Sequence, residues 1–556
     1  MSQRVAVLRS LAVVALLMAS TVQAQAPAED ALKQIIAEGN PEYLAGFASS
    51  GDRDRIGKLY EANGYKLFWS DGTKATEVAI SLLQQLRFAG DRGLDPEDYP
   101  GNALAYLLND LIDARPARIE QWALFDAGLS LAGFRFLSDV HYGRVDPGTM
   151  GHDLSVGRVN LDIAGTLAHL STAMDVAVAV DSLEPQFTHY ALLKKQLSRY
   201  RALAGEDGLN ALPSLPAKSL KPGDDYAGAA QLQRLLAELG DAPPPAQGTP
   251  PPQALSPDLV DALKKFQSRH GENPDGVLGA ATYAELTRPL GQRARQIELT
   301  MERWRWLPSE LVTAPIIVNI PQFRLFAFES TADSEARIRQ MEVIVGKSFD
   351  KTQTPVFAAD MSYVIFRPYW DVPYSIAVKE VVPAARKDPA DIERRQMEIV
   401  RGGDDTATVM PNTAENVELV ATGTLRLRQR PGPNNSLGLA KFMFPNPYNV
   451  YLHSTPAKSL FAESRRDFSH GCVRVSDPVG LAEYVLRDSP EWTKDKILSV
   501  MNGDKPVTVT LKNKIRVFIV YGTAIATEKG NVLFFDDIYG HDERLQKALE
   551  ARRVRR

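Results

Sequence analysis

The stretch Tyr451-Leu452-His453-Ser454-Thr455-Pro456, followed by Ser469-His470-Gly471-Cys472-Val473-Arg474-Val475, carries the most informative chemistry of the sequence. Cys472 is the single cysteine in 556 residues, so no intramolecular disulfide is open to it. A cysteine attacks a carbonyl as its thiolate, and a neighbouring imidazole can take the proton. His453 and His470 stand 19 and 2 residues before it. A strand carrying His453, a connecting loop and a return to Cys472 would bring base and nucleophile together. Gly471 lets the backbone approach a substrate closely, and the amides near Gly471 and Cys472 are candidates for an oxyanion hole. Two blander readings stand beside this one. The thiol can be inert packing, or a metal ligand, although a fourth ligand is missing and the spacing fits no common zinc pattern. The residues alone leave these alternatives open.

Outward from this stretch the texture is that of strands. Ile316-Ile317-Val318-Asn319-Ile320, Arg324-Leu325-Phe326-Ala327-Phe328 and Met341-Glu342-Val343-Ile344-Val345 are β-branched or aromatic runs with breaks between them. Residues 361–366 and 449–452 continue the series. Residues 374–427 interrupt it with a charged stretch that reads as helical, without strand rhythm. After Asp477-Pro478 a helix to about Leu486 is expected, with Asp477 as N-cap and Pro478 at its first position. Further strands are expected at 507–511 and 515–521, then a charged helix.

Toward the N-terminus the pattern turns helical. Residues 77–86 and 122–137 carry apolar side chains at helical spacing. Asp126 and His141, in or just after the second run, read as surface or satisfied core groups because no partner motif is near. Residues 227–239 read as a helix and the proline-rich 242–253 as a flexible insertion. Helical pattern resumes at Pro257, and Gly271-Glu272-Asn273-Pro274-Asp275-Gly276-Val277-Leu278-Gly279 follows it. Phe266, Gln267, Asp275, Gly276, Gly279, Thr282 and Leu286 together resemble the small helical peptidoglycan-binding module, two helices joined by a compact Asp-Gly turn.

The central stretch in turn resembles the active-site signature of the YkuD L,D-transpeptidase catalytic domain: a His, a spacer of about fifteen residues, then Ser/Thr-His-Gly-Cys. Met301-Glu302-Arg303-Trp304-Arg305-Trp306-Leu307-Pro308, Phe366-Arg367-Pro368-Tyr369-Trp370-Asp371-Val372-Pro373 and Arg430-Pro431-Gly432-Pro433-Asn434-Asn435-Ser436-Leu437-Gly438 extend the likeness to the large, lid-bearing members. The resemblance implies a multi-domain α+β chain: a mainly helical scaffold at 27–220, the binding module at 221–292, a linking helix at 293–312 and a β-rich catalytic domain at 313–500. It implies a lid inserted at 374–427, with C-terminal strands and a helix at 501–556. It makes Cys472 the nucleophile, His453 the general base and acid, and His470 and Gly471 shapers of the site. Ser469, Arg474, Tyr451 and Trp370 become substrate contacts. Many members carry Asn where this chain has Arg474, which bears on the acceptor side rather than the nucleophile. No cofactor or metal is implied.

The implied reaction joins two peptidoglycan stem peptides by a 3→3 cross-link. Alternatives with the same site are an L,D-carboxypeptidase and attachment of a protein amine to peptidoglycan. A non-catalytic wall-binding scaffold and a metallohydrolase are the readings from other classes. Peptidoglycan peptide and glycan are the expected partners, alongside cell-wall synthesis proteins.

Composition fits this picture. The chain is 44% hydrophobic and 24% charged with a net charge of −4, ordinary for globular domains and opposed to a dedicated nucleic-acid surface. Arg4 and Arg9 precede an apolar run at 11–19 and then small residues, which reads as a signal peptide over 1–26. The run is short of the ~20 residues a membrane span needs. A periplasmic location is therefore expected, where an idle thiol is open to oxidation.

Overall fold

The computed structural model describes residues 28–37, 50–114, 118–154, 160–248, 250–331, 337–349, 352–403 and 407–554. The expected signal peptide lies outside them. No described helix is long and apolar enough to cross a membrane.

Near the N-terminus, helices form where apolar residues recur every three to four positions. The helix Glu77–Arg87 buries Ala79, Leu82, Leu83 and Leu86, and the Thr76 hydroxyl caps it by accepting from the Ala79 N–H. The helix Ile119–Tyr142 runs through the core and buries Trp122, Phe125, Leu129 and Phe136. Asp126 lies fully buried on it, accepting from the Tyr60 hydroxyl at 2.7 Å and from the amides of Phe68 and Trp69 at 3.0 and 2.7 Å. Desolvation pushes its carboxyl up to about 6. His141 meets the Leu183 carbonyl at 3.0 Å. Both are satisfied structural groups.

The helical region expected at 27–220 contributes to two cores. The first gathers apolar residues from Ala31 to Val180. The helix Thr188–Ala204 instead packs on the helix Leu290–Trp304, and its Tyr190, Leu193 and Leu197 join a core that continues into the binding module and the sheet.

In the module, the helix Pro257–Arg269 starts at the Ser256 cap and carries Gln267, buried, at the centre of the turn that follows. Gln267 Nε2 donates to Asp275 Oδ1 and the Val277 carbonyl at 3.0 Å each and to Thr282 Oγ1 at 3.3 Å; its Oε1 accepts from the Gly276 N–H at 2.9 Å. Gly276 sits at φ 74°, open to glycine at little cost. Gln267, Asp275, Gly276 and Thr282 of the motif are thus one hydrogen-bonded knot, which explains their spacing.

The region expected to be the catalytic domain holds a nine-stranded sheet: β1 Ile316–Asn319, β2 Arg324–Ala327, β3 Arg339–Gly346, β4 Phe357–Phe366, β5 Ala440–Met443, β6 Leu452–His453, β7 Asp467–Ser469, β8 Val473–Val475 and β9 Val507–Val520. The order is β7-β3-β8-β6-β5-β4-β9-β1-β2, and β2 at one end pairs further with β3, the second strand from the other end. β9 lies between β4 and β1 and pairs with both. The sheet therefore runs past the expected boundary at 500. The two strands expected at 507–511 and 515–521 are one, with the register shifting between Thr510 and Ile515. The exposed run Lys512-Asn513-Lys514 at that irregularity breaks the apolar pattern and gives the appearance of two. The helix Pro478–Val485 begins as expected, Asp477 accepting from the Gly480 N–H at 2.8 Å.

The insertion at 374–427 departs from the helical expectation. It holds short helices, but also Met397–Arg401, Thr408–Met410 and Arg426–Gln429, which form a four-stranded sheet with Trp370–Asp371. Val381, Val382, Ile399, Val417 and Leu427 give it a core of its own. Its strands alternate apolar and charged residues, and the cross-strand pair Arg428–Glu398 is held at 2.8 Å. That alternation over four or five residues is masked in the sequence by charged neighbours.

Candidate active site

Strand register assembles the site. In β6, His453 stands directly opposite Lys441 of β5 on one side and Arg474 of β8 on the other. Directly opposed residues share a face of the sheet, and so do residues two positions apart. Tyr451 and Cys472, each two positions earlier, therefore fall on the same face, and the Val473 N–H donates to the Tyr451 carbonyl at 3.1 Å beside them. The 19-residue gap between His453 and Cys472 closes because β6 and β8 are parallel neighbours.

Lys441 is a member of the site that the sequence did not single out. Its Nζ lies 4.1 Å from the Tyr451 ring centroid. The available signal was a lone lysine in the otherwise apolar strand Ala440-Lys441-Phe442-Met443.

Burial pushes the Cys472 thiol upward, while the Tyr451 backbone and hydroxyl, Lys441 and Arg474 pull it down; burial prevails. His453 is 5% exposed, and burial, reinforced by Arg474, takes its pKa from 6.5 to about 3. Thiol and imidazole are therefore both neutral at rest. His453 Nδ1 lies 2.5 Å from the Ser454 carbonyl, which can only accept. Nδ1 thus holds the proton, and Nε2 is the basic nitrogen. The Cys472 thiol donates to the Asn449 carbonyl at 3.7 Å rather than to His453. Cys472 and His453 line one cavity, with the thiol turned toward Asn449.

Ser469 and Gly471 build the turn into Cys472. Ser469 Oγ donates to the Cys472 carbonyl at 2.6 Å and accepts from the Gly471 N–H at 3.1 Å. Gly471 has φ 117°, a backbone region that L side chains rarely adopt. The Gly471 amide, expected to share in the oxyanion hole, is engaged inside the turn. Ser469, expected as a substrate contact, is buried with its hydroxyl committed to the turn. His470 reaches outward instead, its Nε2 2.9 Å from Oε1 of Glu380 on the lid.

The cavity above Cys472 has a volume of about 920 Å³. Tyr451, His453 and Arg474 line its floor, and Trp370, Ile376, Glu380 and Met397 of the lid region line the other side. The Tyr451 hydroxyl interacts with both Trp370 and Cys472. Among the described residues, Lys347, Lys379, Arg394, Arg395 and Arg474 line it with one carboxylate, Glu380, a balance that favours an anionic ligand. Arg394 and Arg395 are partly neutralised by Asp388 and Asp391 at 2.8 and 2.6 Å. Among the described residues, no three His, Cys, Asp or Glu side chains converge as metal ligands would.

Comparison with known proteins places these features. Residues 314–509 match the model of the "L,D-transpeptidase catalytic domain", 226–286 that of the "Putative peptidoglycan binding domain" and 54–197 that of the "Scaffold domain". A Haemophilus influenzae protein named "Putative L,D-transpeptidase" is 31% identical over 255 residues, 46% of this chain and 49% of that protein. The match thus spans about half the length of that relative.

Proposed function

We propose that this chain, which carries an L,D-transpeptidase catalytic domain and a peptidoglycan-binding domain, forms 3→3 cross-links between peptidoglycan stem peptides in the periplasm. The observation that carries this reading is Cys472 on the floor of a cationic, roofed cavity, on one sheet face with a neutral His453.

In the first half-reaction the Cys472 thiol passes its proton to His453 Nε2 and the sulfur bonds to the carbonyl carbon of the donor stem's third residue. Lys441 and Arg474 favour the thiolate as it forms. The tetrahedral intermediate collapses with cleavage of the C–N bond to D-Ala, whose amine takes the proton from His453. In the second, His453 removes a proton from the acceptor stem's side-chain amine. That nitrogen bonds to the thioester carbon, the C–S bond breaks and the thiol is restored. Carboxylates of the stems suit Lys347, Lys379 and Arg474. The lid residues over the cavity restrict water, which favours amine over hydrolysis.

The test is incubation of the purified chain with disaccharide-tetrapeptide, followed by mass spectrometry. Cross-linked dimers with loss of D-Ala are expected, and none from Cys472→Ala. Free tripeptide alone would replace the reading by a carboxypeptidase; dimers from Cys472→Ala would remove Cys472 as nucleophile.

A further inference from the structure

Behind the nucleophile turn lies a hydrogen-bonded brace that no part of the proposed mechanism uses. Thr354, on the segment between β3 and β4, is 1% exposed. Its hydroxyl accepts from the Gly346 N–H at 2.9 Å and donates to the Gly471 carbonyl at 2.8 Å. The Tyr539 hydroxyl donates to the Gly346 carbonyl and accepts from the Thr354 N–H at 3.3 Å. Tyr539 is itself fixed: its N–H donates to the Tyr521 hydroxyl at 2.9 Å, which donates to Asp537 Oδ1 at 2.7 Å. Asp537 also accepts from the His541 N–H at 2.7 Å at the start of the C-terminal helix His541–Val554.

The Gly471 carbonyl and the Cys472 N–H belong to one peptide unit. In a trans peptide these two groups point in opposite directions. Holding the carbonyl toward Thr354 therefore turns the Cys472 N–H away from Thr354. The preceding amide, of Gly471, is engaged by Ser469, so of the two amides in the turn the Cys472 N–H is the one left for an oxyanion.

We infer that Thr354 is a positioning residue for acyl transfer: by holding the Gly471 carbonyl it aims the Cys472 N–H at the oxyanion of the tetrahedral intermediate, with Tyr539 bracing it from the C-terminal segment. This rests on the reading of Cys472 as an acyl-transfer nucleophile. It separates two reactions of the same thiol. Acylation by a carbapenem passes through an oxyanion; alkylation by iodoacetamide does not.

The test compares both rates, by intact-mass analysis, in the full chain and in Thr354→Val, Thr354→Ser and Tyr539→Phe. Loss of an oxyanion donor slows acyl transfer about 100-fold or more, and a misdirected one should slow it at least about tenfold. Thr354→Val is expected to show that loss with iodoacetamide alkylation within about twofold of the parent. Thr354→Ser restores acylation, and Tyr539→Phe gives the same split at smaller size. Equal slowing of both reactions, or of neither, in the Thr354→Val and Tyr539→Phe variants overturns the positioning role. Absence of a carbapenem adduct on the parent chain overturns the transpeptidase reading itself, and this role with it.

Discussion

Nε2 of His470 lies 2.9 Å from Oε1 of Glu380, joining the turn that carries Cys472 to a π-helical turn of the lid at Ala377–Val381. Both side chains are partly exposed, so the contact is a modest one, worth up to about 1 kcal/mol. It nevertheless is a polar link from the lid to the turn that leads into Cys472. Glu380→Ala is predicted to raise amide hydrogen exchange across 377–387 by up to about fivefold, leaving exchange in β4 and β9 unchanged. Equal exchange in the lid of both proteins would mean that the contact does not hold it.

His453 sets the second prediction. Burial holds its pKa at about 3, so the imidazole stays available as a base throughout the neutral and mildly acidic range. As pH falls, acylation of Cys472 should therefore show no histidine limb near 6.5 and lose its base only as pH approaches about 3. A stopped-flow pH–rate profile for carbapenem acylation checks this. A limb at the ordinary histidine value would place the working base elsewhere.

His453→Ala separates base catalysis from thiolate reactivity. It should slow acylation at neutral pH by about 100-fold or more. Iodoacetamide alkylation at a pH high enough to ionise Cys472 should be little changed, because no base is then needed. Parallel loss of both would mean that His453 supports the fold of the site instead.

Lys441 and Arg474 each favour the Cys472 thiolate against a burial effect that opposes it. Removing either cation leaves burial less opposed, so the thiol's pKa moves further up. Lys441→Met is predicted to shift the alkylation pH profile to higher pH and to lower the rate at neutral pH. An unmoved profile would show that Lys441 does not act on the thiol.

In the binding module, Gln267→Leu leaves the Gly276 N–H without its partner and removes one hydrogen bond each from Asp275, Thr282 and the Val277 carbonyl, around a buried position. A cost on the order of 3 kcal/mol is expected, read as lost hydrogen-exchange protection in the helix Pro257–Arg269. Acylation of Cys472 should be unchanged. Retained protection would mean that the knot is not what holds the module together.

Much of this was legible because it is local. The Asp477-Pro478 helix start, the glycine turn of the module and the strand texture of 316–345 each depend on neighbouring residues, and each is present in the structure. The lid strands escaped because Met397-Glu398-Ile399-Val400-Arg401 and Arg426-Leu427-Arg428-Gln429 are short, and their alternation is visible only once the partner strand is known. The boundary at 500 failed for a related reason: β9 is separated from β1, its neighbour in the sheet, by nearly two hundred residues.

The sequence by itself determined the candidate reactive group: one cysteine, two upstream histidines and the glycine that lets the turn form. Those are properties of composition and short-range order. Only the tertiary structure decided what surrounds the thiol. Register between β5, β6 and β8 puts Lys441 and Arg474 on either side of His453. Burial makes the imidazole neutral and leaves the thiol protonated against Asn449. Thr354, more than a hundred residues earlier in the chain, sets the direction of the Gly471 carbonyl. Strand pairing, desolvation and hydrogen-bond direction depend on distances in space, and spacing along the chain carries no record of them.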